Sequence, residues 1–145
     1  MARMTIRVAT IRDAPALAAC IEAAYAVYKD RIPDLPEVSE GIAQDIEEKL
    51  VLVAIGDLGL LGGIILLEKA DHLLLANVAV DPAASGQGVG RRLIARAEDE
   101  ATRLGFSELR LSTHVDMPEN VRFYEHLGWH TTGRAGNTVR MKKSI

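Results

Sequence analysis

Residues 77–93 constrain this chain more than any other stretch. Asn77-Val78-Ala79-Val80 ends an apolar strand, Asp81-Pro82-Ala83-Ala84-Ser85-Gly86-Gln87-Gly88 forms a short loop, and Val89-Gly90-Arg91-Arg92-Leu93 opens an amphipathic helix. Three glycines alternate at the junction. A strand that feeds a glycine loop and then a helix N-terminus is the build of a phosphate-binding turn. The loop backbone presents N–H groups, glycine lets an anion come close, and the helix adds the positive end of its dipole. Arg91 and Arg92 fall in the first helical turn, where cations are unfavourable. A bound polyanion explains them, although surface arginines tolerated at a small cost explain them too.

The loop departs from the dinucleotide fingerprint. It lies mid-chain, and no Asp or Glu follows a second strand at the ribose-binding distance. It resembles instead the acyl-CoA loop of the Gcn5-related N-acetyltransferases, which reads Arg/Gln-x-x-Gly-x-Gly/Ala after a strand ending in Val-x-Pro. Val80-Asp81-Pro82, Gly88 and Gly90 match that pattern. Ser85 stands where the family usually has Arg or Gln, which removes one side-chain phosphate contact. A second match lies downstream, where Phe123-Tyr124-Glu125-His126-Leu127-Gly128-Trp129 resembles the family's Phe-Tyr-Glu-Lys-Leu-Gly-Phe segment. Each motif alone is weak, but both occur in the right order and spacing.

A chain of 145 residues fits one domain, read here as residues 1–145, and is long enough to bury a core. Its net charge of −3 gives a nucleic-acid partner no electrostatic support. The one cysteine, Cys20, excludes an internal disulfide and falls on the apolar face of a predicted helix as a core residue. No apolar run reaches membrane-spanning length and no signal segment is legible, so the expected location is cytoplasmic. No cluster has metal-ligand spacing, and no Gly-x-Ser-x-Gly elbow points to a hydrolase.

The periodicities predict strands at Thr5 to Ala9, Leu50 to Ile55, Leu60 to Glu68, Leu73 to Val80 and Glu108 to Val115, with a last hairpin of Trp129 to Arg134 and Thr138 to Lys143. Gly62-Gly63 reads as a bulge. Helices are predicted from a start at Thr10-Ile11-Arg12-Asp13, with Pro15 in the first turn, to Tyr28, from Ser39 to Lys49, from Val89 to Leu104 and up to Leu127, the last opened by an Asp116 cap with Glu119 in a capping box. Without the resemblance this order supports only an α/β domain. The resemblance implies an α/β (α+β) acyl-CoA N-acyltransferase fold: a mixed, mostly antiparallel sheet with a splayed central strand pair and flanking helices.

The resemblance also implies the chemistry, which is acetyl transfer from acetyl-CoA to a primary amine by direct attack. Leu73–Val80 and Leu109–Val115 would splay to admit the pantetheine arm. The coenzyme would lie on Val78, Ala79, Val80, Ser85, Gly86, Gln87, Gly88, Val89, Gly90, Arg91, Asn120 and Tyr124. Tyr124 matches the tyrosine that donates to the coenzyme A sulfur; the plain alternative is an aromatic on a core-facing stripe. Candidate bases are Glu68 at a strand end and His114 at the mouth of the splay. Family members frequently use a water chain instead, and that reading ranks first. Asp116 is read as a helix cap. The acceptor side would draw on Tyr25, Tyr28, Arg31 and Asn77, with Asp34 and Glu37 nearby, and a solvated proline-rich loop explains residues 31–37 about as well. The expected acceptor is a small-molecule amine, and a homodimer is expected on family grounds. Two other readings stay open: a non-catalytic acyl-CoA-binding sensor, and a protein Nα- or Lys-acetyltransferase.

Overall fold

The structure is a computed structural model that describes residues 4–29 and 41–145. Seven strands form one sheet in the order β1-β2-β3-β4-β5-β7-β6. They are β1 (Thr5–Val8), β2 (Leu50–Gly56), β3 (Gly59–Glu68), β4 (Leu73–Val80), β5 (Glu108–His114), β6 (His130–Ala135) and β7 (Thr138–Ser144). The helices are α1 (Ala14–Lys29), α2 (Ile42–Glu48), α3 (Val89–Arg103) and α4 (Pro118–His126). No described helix is long and apolar enough to cross a membrane.

The expected mixed sheet is present. Every neighbouring pair is antiparallel except β4 and β5. Parallel neighbours need a crossover, and α3 supplies it. β2 reads as a nearly continuous apolar run because both its faces are covered. Val51 and Val53 pack with Leu17, Cys20 and Ile21 of α1, whereas Leu52 and Ala54 pack with Leu93, Ile94 and Ala97 of α3. Cys20 is buried in the α1 layer as expected, and burial pushes its thiol up to about 11.

Two irregularities shape the centre of the sheet. β4 pairs with β5 only through Leu73–Leu109, Leu74–Arg110 and Leu75–Leu111, and beyond Leu75 the strands part. Immediately after that point β4 carries a bulge. Leu66 pairs with Leu75 and Ile65 with Asn77, which leaves Ala76 unpaired. The extra residue shifts the alternation of the strand. Leu73 and Leu75 share the α3 layer with Val78 and Val80, while Ala79 joins the α1 layer.

The bulge expected at Gly62-Gly63 lies one residue earlier. Ala54 pairs with Gly62 and Ile55 with Leu60, so Leu61 is the extra residue. The glycines answer to packing instead. A Cβ on Gly62 would sit 2.7 Å from the Ala79 carbonyl oxygen, and one on Gly63 would sit 2.5 Å from Leu17 Cδ1. The Asp116 cap is also corrected. Met117 holds the N-cap position of α4 with no side-chain cap. The turn is closed by His114, whose carbonyl accepts the Met117 N–H and whose Nδ1 accepts the Asp116 N–H at 3.0 Å.

Candidate active site

The glycine loop is fixed at both ends. The Asp81 N–H donates to the Leu61 carbonyl, which ties the end of β4 to the β3 bulge. The Asp81 carboxylate accepts the Ala83 N–H at 2.9 Å. The Ser85 and Gln87 N–H groups donate inward, to Pro82 and Ala84. Val89 is buried in the core and anchors the first turn of α3. Gly86 and Gly88 adopt φ of 82° and 77°, the left-handed region that a side chain disfavours. No side chain caps α3.

This leaves the N–H groups of Gly86, Gly88, Val89, Gly90 and Arg91 without an acceptor among the described residues. All five residues line one cleft. Orphan N–H groups at a helix start, with the dipole behind them, suit a phosphate anion. Ser85 lines the cleft as well, while Gln87 does not.

The cleft, about 720 Å³, runs from this loop into the gap between β4 and β5. Residues 76–80 of β4 form one wall, Ser112, Thr113 and His114 of β5 the other. Because β4 has no partner on that side beyond Leu75, its outward backbone groups are available to an extended ligand. Tyr25 of α1 and Asn77 meet in the cleft, the Tyr25 hydroxyl donating to Asn77 Oδ1 at 3.1 Å. Asn120 lines it from α4, its Nδ2 within 3.3 Å of Met117 Sδ and 3.5 Å of Thr113 Oγ1.

Tyr124 also lines the cleft but is only 6% exposed. Its ring packs against Trp129 and Phe123, with centroids 5.6 and 5.4 Å away. Its hydroxyl has no hydrogen-bond partner among the described residues. Burial, and secondarily the Tyr25 phenol, push its pKa well above that of an ordinary tyrosine. The group therefore holds its proton at neutral pH and presents an O–H, not a base, to the cleft.

The base candidates fare differently. Glu68 is not in the cleft. It pairs with Leu73, at the closed end of the β4–β5 pair, and is exposed. Four residues of strand separate Leu73 from Asn77, about 13 Å at ~3.3 Å per residue. The antiparallel course of β3 carries Glu68 away from the splay. His114 does line the cleft, but the Asp116 N–H occupies its Nδ1 lone pair. The hydrogen of the neutral ring then sits on Nε2, which is buried and unpartnered among the described residues. That tautomer offers a donor and no free lone pair. No Asp or Glu among the described residues lines the cleft. The side chain of Tyr28, and Arg31, Asp34 and Glu37, lie outside the described residues.

Ser112, Thr113 and Met117 line the cleft without having been singled out from sequence. The signal was faint: Ser112 and His114 are the polar positions of the alternating β5 pattern, and the side they face depends on where the strands part.

Comparison with known proteins agrees with this geometry. The model of the acetyltransferase (GNAT) family matches residues 18–129. The chain is similar to an uncharacterized N-acetyltransferase, YjgM, of Escherichia coli strain K12, at 28% identity over 153 aligned residues that cover 94% of this chain and 92% of that protein. Its fold is similar to that of the PaiA N-acetyltransferase of Thermoplasma acidophilum, solved in complex with coenzyme A. The TM-score is 0.86 at 23% identity, over 99% of each chain. It is also similar to the ribosomal-protein-S18-alanine N-acetyltransferase of Escherichia coli, with a TM-score of 0.81 at 23% identity over 99% of this chain and 94% of the other. The family model spans both walls of the cleft and its glycine loop, and on that ground the chain belongs to the acetyltransferase (GNAT) family.

Proposed function

We propose that the cleft binds acetyl-CoA and that the protein transfers the acetyl group to a primary amine of a small molecule. One observation carries the reading: the five unpartnered N–H groups open onto the same cleft that Tyr124 lines. The loop N–H groups would hold the diphosphate, with Arg91 at its edge. The unpaired side of residues 76–80 would hold the pantetheine arm, with Asn120 across from it. Bound acetyl-CoA supplies an activated thioester carbonyl. Tyr124 keeps a proton on its Oη for the departing thiolate, and its burial favours the neutral phenol until the transfer. Tyr25 and Asn77 form the wall nearest the acceptor, and their mutual hydrogen bond fixes both side chains. With no described carboxylate in the cleft and Nδ1 of His114 occupied, the proton of the attacking ammonium leaves through water.

The test is titration calorimetry with acetyl-CoA and coenzyme A, followed by thiol release in the presence of amines and peptides. Micromolar binding with thiol release on free amines is the expected result. Binding without release on any acceptor would replace the reading by a cofactor sensor, and release on peptides alone by a protein acetyltransferase.

A further inference from the structure

We propose that the acceptor amine carries an anionic group, a carboxylate or phosphate, and that Arg140 holds it. This inference rests on the acetyl-transfer reading and names the substrate class of that same site. It starts from the face of the sheet on which each residue lies. Val139 and Met141 of β7 are buried in the core layer beneath α3. Alternation along the strand turns Arg140 to the opposite face, the one that carries α1. Leu109 and Leu111 sort β5 in the same way, so Ser112 and His114 share that face. Asn77 also turns to it, since its side chain meets Tyr25 of α1.

The register then puts Arg140 beside the cleft. Its cross-strand partner is Ser112, and the next pair is Thr138 with His114. Directly opposed side chains in such a pair have Cβ atoms about 5 Å apart. The hairpin is pinned there, because the Val115 N–H donates to the Asn137 carbonyl at 2.9 Å. The phosphate loop lies on the α3 side of the sheet. The α1 side of the gap is left for the acceptor, and Arg140, outside the lining of the cleft itself, lies next to Ser112 on that side.

The charges on this face are balanced at one end only. Arg110 donates to Glu108 at 2.7 Å and lies 3.4 Å from Asp71. Glu108 also feels Lys142. These groups neutralise one another beside the closed end of β4 and β5. Arg140 is exposed and forms no ion pair among the described residues. Asp116, the nearest acid along the chain beyond β5, stands with Oδ2 3.9 Å from His114 Nδ1. A planar guanidinium without a counter-charge, next to a cleft with no described carboxylate, suits an oxyanion held through two parallel hydrogen bonds.

The test uses matched acceptors: 4-aminobutyrate against its amide, and phosphoethanolamine against ethanolamine. Thiol release gives kcat/KM for each. The anionic member should be favoured about tenfold, the scale of a charge-assisted hydrogen bond at a partly exposed site. Arg140→Gln should bring that ratio close to one through KM, and Arg140→Lys should restore part of it. Arg134→Gln, which removes the same charge from β6 opposite Val139, should leave the ratio unchanged. Coenzyme A affinity serves as the folding control and should not move in any variant. Equal use of both members by the unaltered protein, or a ratio that survives Arg140→Gln, overturns the proposal while leaving acetyl transfer intact. Absence of coenzyme binding and of release from every amine overturns the acetyl-transfer reading, and this one with it.

Discussion

Tyr124→Phe separates a catalytic tyrosine from an aromatic core residue. The substitution removes one oxygen from a side chain that is 6% exposed and keeps its contacts with Trp129 and Phe123. The hydroxyl has no hydrogen-bond partner among the described residues, yet it is not sealed off from the cleft, so removing it should change folding stability by less than about 1 kcal/mol. The Phe variant should therefore melt within about 2–4 °C of the unaltered protein. Turnover should fall. A positioned general acid contributes about 10²–10⁴-fold, or about 3–5 kcal/mol of barrier. Thiol release should fall by about a hundredfold or more, with the affinity for coenzyme A nearly unchanged.

The raised phenol pKa fixes the pH dependence. An unfolded chain ionises Tyr124 near the ordinary value of about 10, whereas the native state holds the proton to higher pH. Stability from this group is complete below about pH 10 and is lost as pH rises above it. The Phe variant lacks that loss, and its rate deficit should be uniform from pH 6 to 9. Equal turnover in the two proteins would refute the proton-donor role. A fall in Tm together with coenzyme affinity would make Tyr124 a structural residue.

Gly88→Glu should abolish acetyl-CoA binding in a protein that still folds. A Cβ there meets nothing within 4 Å, although the φ of 77° costs a side chain about 1–2 kcal/mol; retained micromolar binding in calorimetry would sink the loop assignment. Gly62→Ala should cost about 1–3 kcal/mol, because its Cβ would press on the Ala79 carbonyl and lie 3.0 Å from Val89 Cγ1. The same strain should weaken coenzyme binding by displacing β4 or α3, and unchanged Tm and affinity would refute the close approach. The Arg7 guanidinium, bonded at 2.8 Å, lowers the Asp13 pKa to about 2. Stability from this pair is complete above the ordinary carboxylate value and is lost as pH falls from about 4 to about 2. Asp13→Asn should flatten that limb of a melting-temperature profile and cost about 1–2 kcal/mol at pH 7, given the exposure of Arg7.

Elements and loop were legible in the sequence because local signals determine them. The alternation of Leu109, Leu111 and Thr113 makes β5, and the apolar stripe of Val89, Leu93, Ala97 and Ala101 makes α3. Glycine is required at 86 and 88 by backbone conformation alone, which any reader of the chain can anticipate. Glu68 and the Gly62-Gly63 bulge were misread for a common reason. Both depend on which strand lies alongside and in what register, and no local pattern records that.

The sequence alone therefore determined a glycine turn between a strand and a helix, and a tyrosine two turns into the chain's last helix motif. The tertiary structure decided the rest. The bulge at Ala76 changes the side on which every later β4 residue falls, and so presents Asn77 to Tyr25. The parting of β4 and β5 after Leu75 turns a sheet into a cleft. The turn after β5 places an amide on His114 Nδ1, and the β5–β7 register sets Arg140 beside Ser112. These are pairings between segments remote in the chain, settled by packing and register and not by the propensity of any one segment.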